Sequence, residues 1–410
     1  MSPAIHFTGS GIVSPLGQSV ASTLTALEAG ECGIERIEDW ANMPGLSTHV
    51  AALVRDFEPR FIPRKIRRTM SKMSQMLCKA GDEALEQAGL CAAELSTLRV
   101  MVIVGSTTGS GSSYEQSFKR FHETGSASGQ FSTTMFKTMN HSVALNLASY
   151  WGFKGSVLSP ASACSTGAQA ILLGAEFIRA GVCDIAICGG ADECHIGTAV
   201  AFDTAQAASN AFNSEPLQAS RPFDARRDGV VVSEGAAIAV LESEASRARR
   251  QVGSLGRLLG WAQSCDGGQV AHSTAESMAD NMRAALKSAG LGAESIGYVN
   301  AHATSTLLGD RFEAQAIHSV FGKVPTSSLK GNLGHSFAPC GTLEAIATLD
   351  MLDKGRFLPN LNWTQSESDF PPLLFLDRVT ALDTKLAVSN NFAMGGMNVS
   401  LVLSGEGHHL

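Results

Sequence analysis

The sequence predicts a layered α/β fold in which sheets are covered by helices on both faces. Short apolar segments of strand length alternate with glycine-rich turns and longer alanine-rich helical stretches. Several of these segments are apolar throughout, which is typical of strands buried on both faces. The segments of strand length that best show this alternation are residues 100–105, 184–189, 235–241, 298–300 and 386–389.

Two segments of the chain resemble each other. Cys164-Ser-Thr-Gly-Ala-Gln-Ala-Ile continues to Gly181, and Cys340-Gly-Thr-Leu-Glu-Ala-Ile-Ala continues to Gly355. In both, a helix of small residues begins after a turn and ends at a glycine. Because small side chains let backbones approach, this pattern predicts two closely packed helices in a duplicated fold.

The composition favours a compact enzyme with a large core. A chain of 410 residues suits two domains, or one double-layered α/β unit, at about 150 residues per domain. Hydrophobic residues make up 44% and charged residues 17%, a balance that also indicates surface covered by a second subunit. The net charge of −7 offers no general attraction for nucleic acid or an anionic membrane.

The nine cysteines indicate reduced thiols in a cytoplasmic protein. Their number is odd, they are scattered, and no pair has the C-x-x-C spacing of metal or redox sites. The first 17 residues lack the pattern of a secretory signal, and no segment approaches 18 uninterrupted apolar residues. We therefore expect neither export nor membrane insertion.

Cys164 is the first candidate catalytic residue. The segment Val157-Leu-Ser-Pro-Ala-Ser-Ala-Cys164-Ser-Thr-Gly-Ala-Gln-Ala-Ile places it where a strand gives way to a helix. Free N–H groups and the positive end of the helix stabilise a thiolate there, and the N–H of the turn can form half of an oxyanion hole. Free cysteines are also among the most buried residues. The residues alone therefore leave open a thiol that is reactive near neutral pH and an inert one.

Motifs along essentially the whole chain resemble one enzyme family. Ser-Ala-Cys164-Ser-Thr-Gly-Ala resembles the nucleophile motif of the thiolase-fold condensing enzymes. Further segments resemble, in the same order, those of the elongating (class I/II) β-ketoacyl-acyl carrier protein synthases. They are Gly-Gly190-Ala-Asp-Glu, Arg221-Pro-Phe-Asp-Ala-Arg-Arg-Asp228-Gly, Asn300-Ala-His302-Ala-Thr304-Ser-Thr306, Leu329-Lys330-Gly-Asn-Leu-Gly-His335-Ser and Ser389-Asn-Asn-Phe392-Ala-Met-Gly395-Gly396.

This resemblance implies a thiolase-like duplicated fold, layered α-β-α-β-α, with two mixed sheets around buried helices. The N-terminal half, residues 1–255, would carry the nucleophile, and residues 256–410 would carry the two histidines. The implied reaction is a decarboxylative Claisen condensation of an acyl group on Cys164 with a malonyl thioester. His302 and His335 would hydrogen-bond the developing enolate oxygen as neutral imidazoles. A lone histidine is more often structural, so their role depends on the motif positions.

The resemblance also assigns roles to four polar residues near the histidines, with Lys330 among the catalytic ones. Lys330 would pair with Glu313 in the site, although a buried ion pair that only holds two loops together is nearly as compatible with the sequence. Thr304 and Thr306 would bind the amides of the pantetheine arm, or they could stabilise their own turn.

The C-terminal glycine-rich segment departs from the family pattern Phe-Gly-Phe-Gly-Gly-Thr-Asn. Here it runs from Phe392 through Ala393, Met394 and two glycines to Met397 and Asn398. In the family the second aromatic residue donates an oxyanion N–H and swings to admit the acyl chain. Met394 should keep the N–H but offer a more adaptable side chain, and Phe392 should support it. The histidine motifs also differ, with Ala303 for the usual glycine and Phe337-Ala-Pro-Cys340 for Leu-Gly-Ala-Ala.

The expected partner is an acidic acyl carrier protein. Residues 60–72 form the strongest basic cluster of an acidic chain, and Lys65 and Arg68 match carrier-docking positions of the family. A solvated helix face is the alternative. The phosphopantetheine arm arrives on the carrier, and no metal or redox cofactor is implied. Family members are dimers, so we expect a homodimer, or a heterodimer with a chain-length partner.

Three related activities are disfavoured by particular residues. A thiolase would carry a second catalytic cysteine in residues 389–398, which contain none. A coenzyme A-using initiating synthase would have an asparagine where His335 stands, and an inactive chain-length subunit would lack Cys164. Fatty acid synthesis is the expected pathway, with a specialised polyketide or aryl polyene pathway as the alternative.

Overall fold

The computed structural model describes residues 4–268 and 273–406. The strands are β1 (Ile5–Val13), β2 (Ile34–Arg36), β3 (Val50–Ala52), β4 (Val100–Gly105), β5 (Ser156–Leu158), β6 (Ile185–Asp192), β7 (Val232–Ser233), β8 (Gly235–Ser243), β9 (Gly256–Cys265), β10 (Tyr298–Asn300), β11 (Pro325–Ser327), β12 (Arg356–Phe357), β13 (Leu374–Phe375), β14 (Thr380–Ala381), β15 (Leu386–Ala393) and β16 (Met397–Ser404). The helices are α1 (Val20–Glu28), α2 (Glu38–Ala41), α3 (Arg64–Arg67), α4 (Lys72–Gln87), α5 (Gly111–Thr124), α6 (Met135–Thr138), α7 (Ser142–Trp151), α8 (Thr166–Arg179), α9 (Ile196–Thr204), α10 (Glu244–Arg250), α11 (Ala275–Ala289), α12 (Leu307–Phe321), α13 (Lys330–Leu333) and α14 (Cys340–Lys354).

Eleven strands form one mixed sheet whose two halves repeat a single topology. The strand order is β13-β11-β10-β15-β16-β9-β1-β8-β6-β4-β5. From β1 outward to β5, two antiparallel pairings are followed by two parallel ones, and the same series runs from β9 to β11. The two expected sheets are thus present as two halves, which join where β1 pairs with β9 over residues 5–7 and 256–258. Strands of the first half precede residue 244, and those of the second begin at residue 256.

The strands are buried on both faces, as their uninterrupted apolar sequences predict. In β8, Ala236, Ile238 and Val240 pack in the same core as α4 and α7. The alternate residues Ala237, Ala239 and Leu241 pack with α8 and α14. This alternation follows from the two-residue period of a strand, and it places a helical layer on each side of the sheet.

The second half of the sheet is covered in the same manner. Val388 and Val402 pack in a core with α11 and α12, whereas Ala387, Leu401 and Leu403 share the central core with α8 and α14. The layers are therefore α4 and α7, the first half-sheet, α8 and α14, the second half-sheet, and α11 and α12. This is the predicted α-β-α-β-α arrangement with buried helices at the centre.

Glycines permit the close packing of the two central helices. A Cβ atom on Gly167 of α8 would lie 2.6 Å from the Ala338 carbonyl oxygen, just before α14. A Cβ atom on Gly341 of α14 would lie 2.9 Å from the Cβ of Ala168 in α8. The prediction of two closely packed small-residue helices is thus confirmed. Among the described residues, no helix is long and apolar enough to cross a membrane.

Candidate active site

Cys164 lies in a strained turn between β5 and α8. A single 3-10 turn, Ala163–Ser165, precedes the helix, and Ala163 adopts a left-handed φ of 49°. This conformation costs an alanine about 1–2 kcal/mol. The Thr166 hydroxyl stabilises it by donating to the Ala163 carbonyl oxygen at 2.8 Å and accepting from the Ser162 N–H at 2.9 Å. The turn directs the thiol into a cavity, where it remains 5% exposed.

The cavity brings the three predicted reacting side chains together. Its volume is about 340 Å³, and Cys164, His302 and His335 all line it. Cys164 Sγ and His335 Nε2 lie 2.8 Å apart, within reach of proton transfer. The two imidazole rings meet edge to face with their centroids 5.3 Å apart. Both histidines and the cysteine can therefore contact one small substrate group at the same time.

Both histidines are held neutral by their surroundings. Burial lowers the pKa of His302 and of His335 well below the ordinary histidine value, and the positive charge of Lys330 lowers both further. The neighbouring His335 also lowers the pKa of His302. A neutral imidazole keeps one N–H to donate, which is the form that the expected role requires.

The protonation state of Cys164 differs from the expectation of a thiolate near neutral pH. Burial raises the pKa of the Cys164 thiol to about 12, although the charge of Lys330 and the N–H groups of Met394 and Cys164 itself oppose this rise. Desolvation outweighs the helix end because the thiol is almost fully enclosed. The resting group is a thiol, and His335 is the base within reach.

The predicted oxyanion donors surround the thiol. Met394 begins the turn between β15 and β16, and its N–H donates towards Cys164 Sγ, as does the N–H of Cys164. Gly395 and Gly396 complete the turn with left-handed φ values of 85° and 71°. Phe392 is buried at the base of the turn and lines the cavity, whereas the Met394 side chain is 46% exposed.

The predicted pairing of Lys330 with Glu313 is wrong. Lys330 Nζ donates to the carboxylate of Glu344 in α14, and both side chains are buried. Burial lowers the pKa of Lys330, but the charge and hydrogen bond of Glu344, together with the nearby Cys340 and Glu313, outweigh it, so the pKa is raised overall. Glu313 instead accepts the N–H groups of His302 and Ala303 at 2.7 and 2.6 Å. Its role is to hold the His302 loop on α12.

Glu344 is the functional-site residue that sequence reasoning missed. Its second carboxylate oxygen accepts from the Asn391 amide at 2.9 Å, so it links Lys330 to β15. The available signal was a single acidic residue inside the apolar segment Leu343-Glu344-Ala345-Ile346 of a predicted buried helix. A buried carboxylate needs a partner, and Lys330 is the buried cation that meets this need.

The remaining predicted residues line the cavity or lie on the surface. Thr304 and Thr306 line the cavity with their hydroxyl oxygens 3.3 Å apart. Lys65 and Arg68 are exposed at α3, as carrier docking requires. Lys72, from the same basic cluster, forms an ion pair with the buried Glu234 at 2.5 Å, so its charge is balanced within the protein.

The three reacting side chains also have the spacing of metal ligands. Within the described residues, Cys164, His302 and His335 are the one such group, with ligand atoms within 4.8 Å of one another. Zinc accepts thiolate and imidazole ligands, but the buried ammonium of Lys330 acts on all three and disfavours a cation. That the reaction uses no metal or other cofactor stays a prediction.

Comparison with known families agrees with this geometry. The model described as "Beta-ketoacyl synthase, N-terminal domain" matches residues 3–247, and its C-terminal counterpart matches residues 255–364. The chain belongs to the β-ketoacyl synthase family. The division into halves at residues 255 and 256 stays a prediction.

Relatives within the β-ketoacyl synthase family match over nearly their whole length. The chain is 33% identical over 402 residues to the 3-oxoacyl-(acyl-carrier-protein) synthase 1 of Haemophilus influenzae, covering 96% of this chain and 97% of the relative. It is also 33% identical to the Escherichia coli protein of the same name, with 97% of each chain covered.

Solved structures of two ketosynthases resemble this fold. A β-ketoacyl synthase from Burkholderia phymatum superposes with a TM-score of 0.94 and 37% identity, covering 98% of this chain and 99% of that one. The ishigamide ketosynthase/chain length factor superposes with a TM-score of 0.91 and 28% identity, covering 99% and 100%. The family and the thiolase-like fold implied by the sequence motifs are confirmed.

Proposed function

We propose that this protein condenses an acyl group held on Cys164 with malonyl-acyl carrier protein, releasing carbon dioxide and a β-ketoacyl-acyl carrier protein. The observation that best supports this proposal is that Cys164, two neutral histidines and two N–H donors converge on one cavity. Relatives at 33% identity are named as 3-oxoacyl-(acyl-carrier-protein) synthases, and on this ground we place the reaction in fatty acid biosynthesis.

The first half-reaction moves the acyl group to the enzyme. Cys164 gives its proton to His335, and the resulting thiolate attacks the thioester carbon of the acyl carrier protein. The N–H groups of Cys164 and Met394 stabilise the oxyanion of the tetrahedral intermediate. As the intermediate collapses, the carbon–sulfur bond to the carrier breaks, and the carrier thiol leaves with the proton from His335.

The second half-reaction forms the carbon–carbon bond. His302 and His335 donate their N–H groups to the carbonyl oxygen of the malonyl thioester, so that carbon dioxide leaves and its bonding electrons form an enolate. The enolate carbon attacks the acyl thioester, and the bond to Cys164 Sγ breaks. A proton from solvent restores the thiol. The charge of Lys330 supports the first half-reaction because it lowers the pKa of the Cys164 thiol, and the second because it keeps the histidines neutral.

Thr304 and Thr306 would bind the pantetheine arm during both steps, because they follow His302 in the chain and line the same cavity. The carrier itself would dock at Lys65 and Arg68, which are exposed. Among the ion pairs of the described residues, neither of these two side chains pairs with a carboxylate. Cytoplasmic localisation, expected from the reduced cysteines, belongs to this proposal.

The protein would work as a dimer. Strand β5 ends the sheet, and all three of its residues are exposed, including Val157 and Leu158. Helix α5 buries none of its residues and exposes Tyr114, Phe118 and Phe121. An unpaired apolar strand edge and a helix with exposed aromatic side chains are both surfaces that a second subunit would cover.

A ketosynthase of a specialised pathway is the second candidate. The structural neighbour at 28% identity is named as a ketosynthase with a chain length factor, and Met394 changes the side chain at the cavity mouth. In that case the dimer partner would be a chain-length subunit, and the acyl group would be a polyketide or aryl polyene chain.

Intact-protein mass spectrometry tests the proposal. Wild type, Cys164→Ala and the surface control Cys91→Ala are incubated with a panel of acyl carrier thioesters, and malonyl carrier is then added. Wild type and Cys91→Ala should gain the acyl mass and release a β-keto product two carbons longer, whereas Cys164→Ala should gain none. The preferred acyl group decides the pathway. Absence of acylation of wild type by every donor would contradict the proposal.

A further inference from the structure

The residue after the nucleophile contacts both arms of the hairpin that supplies the oxyanion donor. Ser165 is fully buried. Its hydroxyl donates to the Asn391 carbonyl oxygen at 3.0 Å and to the Met397 carbonyl oxygen at 2.8 Å. Asn391 lies in β15 and Met397 in β16, on either side of the Met394 turn. One proton shared between two acceptors thus connects the nucleophile turn to both strands.

We propose that Ser165 is a positioning residue that holds the β15–β16 hairpin on the nucleophile turn, so that the Met394 N–H stays directed at Cys164 Sγ. This inference rests on the proposed function for its kinetic consequence. Ser165 itself contacts neither the thiol nor the cavity, because its hydroxyl is committed to the two strands. It would act through Met394.

The hairpin base is held from a second direction. The Asn391 side chain donates to Glu344, which pairs with Lys330. The same residue therefore receives the Ser165 hydroxyl on its carbonyl and contacts the ion pair through its amide. Through Asn391, the hairpin is fixed to both the nucleophile turn and the lysine that keeps the histidines neutral.

These contacts divide the hairpin into a fixed base and a tip. The Ser165 hydroxyl donates to the carbonyl groups of Asn391 and Met397, which form the base. Gly395 and Gly396 form the tip, in left-handed conformations, and receive no hydrogen bond from Ser165. The tip has its own tether, since Asp266 donates its N–H to the Gly396 carbonyl oxygen at 3.3 Å. If the tip moves to admit an acyl chain, the Ser165 contacts would return the Met394 N–H to the same place after each movement.

The test compares Ser165→Ala with Ser165→Thr, which keeps a hydroxyl, and with Ser10→Ala. Ser10 is a matched control because its buried hydroxyl also makes a short hydrogen bond, to Gln87 at 2.7 Å, in a part of β1 that does not line the cavity. The acylation rate is measured by intact-protein mass spectrometry. The pH dependence of Cys164 alkylation by iodoacetamide is measured by peptide mapping, because Cys91 and Cys265 are also exposed.

Ser165→Ala should lower the acylation rate by roughly 10-fold to 100-fold, less than the roughly 10²–10³-fold that follows complete loss of an oxyanion donor. Its alkylation profile should move to higher pH, because the Met394 N–H lowers the pKa of the thiol. Ser165→Thr should restore part of both properties, and Ser10→Ala should change neither.

An unchanged alkylation profile in Ser165→Ala would overturn the proposal, even if its Tm falls more than that of Ser10→Ala, because Ser165 would then be only structural. The alkylation measurement needs no carrier substrate. It therefore decides the role of Ser165 even if wild type accepts none of the acyl donors and the proposed function fails.

Discussion

Helices α8 and α14 each follow a turn at a cysteine and pack against each other between the two halves of the sheet. Burial raises the pKa of both thiols, to about 12 for Cys164 and well above its usual value for Cys340. Cys164 opens on the cavity, 2.8 Å from His335. Cys340 instead donates to the Cys164 carbonyl oxygen at 3.3 Å and does not line that cavity.

This comparison shows that a helix N-terminus does not by itself make a reactive thiol. The two helix ends offer similar free N–H groups, yet desolvation dominates at both cysteines. Cys164 is distinguished by a base within reach, by the Met394 N–H donor from the β15–β16 hairpin and by access for the substrate. Four residues after each cysteine the chains differ again, with Ala168 in α8 and Glu344 in α14. The turn before α8 thus supplies the nucleophile, and α14 supplies the charge that holds Lys330.

The largest expected difference is between the two cysteine variants. Cys164→Ala should lose all acylation, whereas Cys340→Ala should retain a rate of the same order as wild type, because it loses only weak sulfur hydrogen bonds. Iodoacetamide labelling of the folded protein, followed by peptide mapping, should modify Cys164 and leave Cys340 unmodified. Labelling of Cys340 at the rate of Cys164 would show that access does not distinguish them.

The sequence predicted the layers because their causes are local. Residues 235–241 are all apolar or small, and the strand that they form, β8, is buried on both faces. Cys164, His302 and His335 could be brought together only through the family resemblance, since 171 residues separate Cys164 and His335 along the chain. The partner of Lys330 could not be predicted, because Glu313 and Glu344 are both acidic residues in helices and only tertiary packing selects between them.

The protonation state of Cys164 was beyond sequence reasoning for a related reason. The helix end that favours a thiolate is visible in the sequence, but the enclosure that opposes it depends on side chains from distant segments. Phe337, Ala393 and Val232 pack in one buried cluster with Cys164. The Ser165 contacts could not be predicted for the same reason, because the sequence does not indicate which carbonyl groups will accept the hydroxyl of a serine that follows the nucleophile.

The second largest effect should come from breaking the ion pair between Lys330 and α14. Lys330→Met alone leaves the Glu344 carboxylate buried without its cation, which should lower the free energy of unfolding by about 3–5 kcal/mol. Lys330→Met combined with Glu344→Gln removes both charges and should recover most of that loss. Urea denaturation of the two variants and wild type measures this difference.

The double variant also tests the electrostatic role of Lys330. Because the charge of Lys330 lowers the pKa of His302 and His335, its removal should raise both. Malonyl decarboxylation needs the neutral imidazoles, so the loss of rate on acidification should begin at a higher pH than in wild type. Equal destabilisation by the single and double variants would show that Lys330 is held by packing and not by its charge.

The smallest of these effects should come from adding one methyl group to each central helix. In Gly167→Ala the new Cβ would meet the Ala338 carbonyl oxygen at 2.6 Å, a backbone atom fixed by its own hydrogen bond from the Gly167 N–H. In Gly341→Ala it would meet the Asn391 side-chain oxygen at 2.5 Å. Both should lower the free energy of unfolding by about 1–3 kcal/mol, and to a similar extent, because the new Cβ of Gly341→Ala would also lie 2.9 Å from the backbone nitrogen of Ala168, which cannot rotate away.

Gly253→Ala is the matched control, because a Cβ there would meet no atom within 4 Å. It should leave stability unchanged or raise it by up to about 1 kcal/mol through the unfolded state. Thermal unfolding of the three variants ranks them. A loss of stability in Gly253→Ala as large as in the other two variants would show that the close contact of α8 and α14 is not the cause, since Gly253 lies outside both helices.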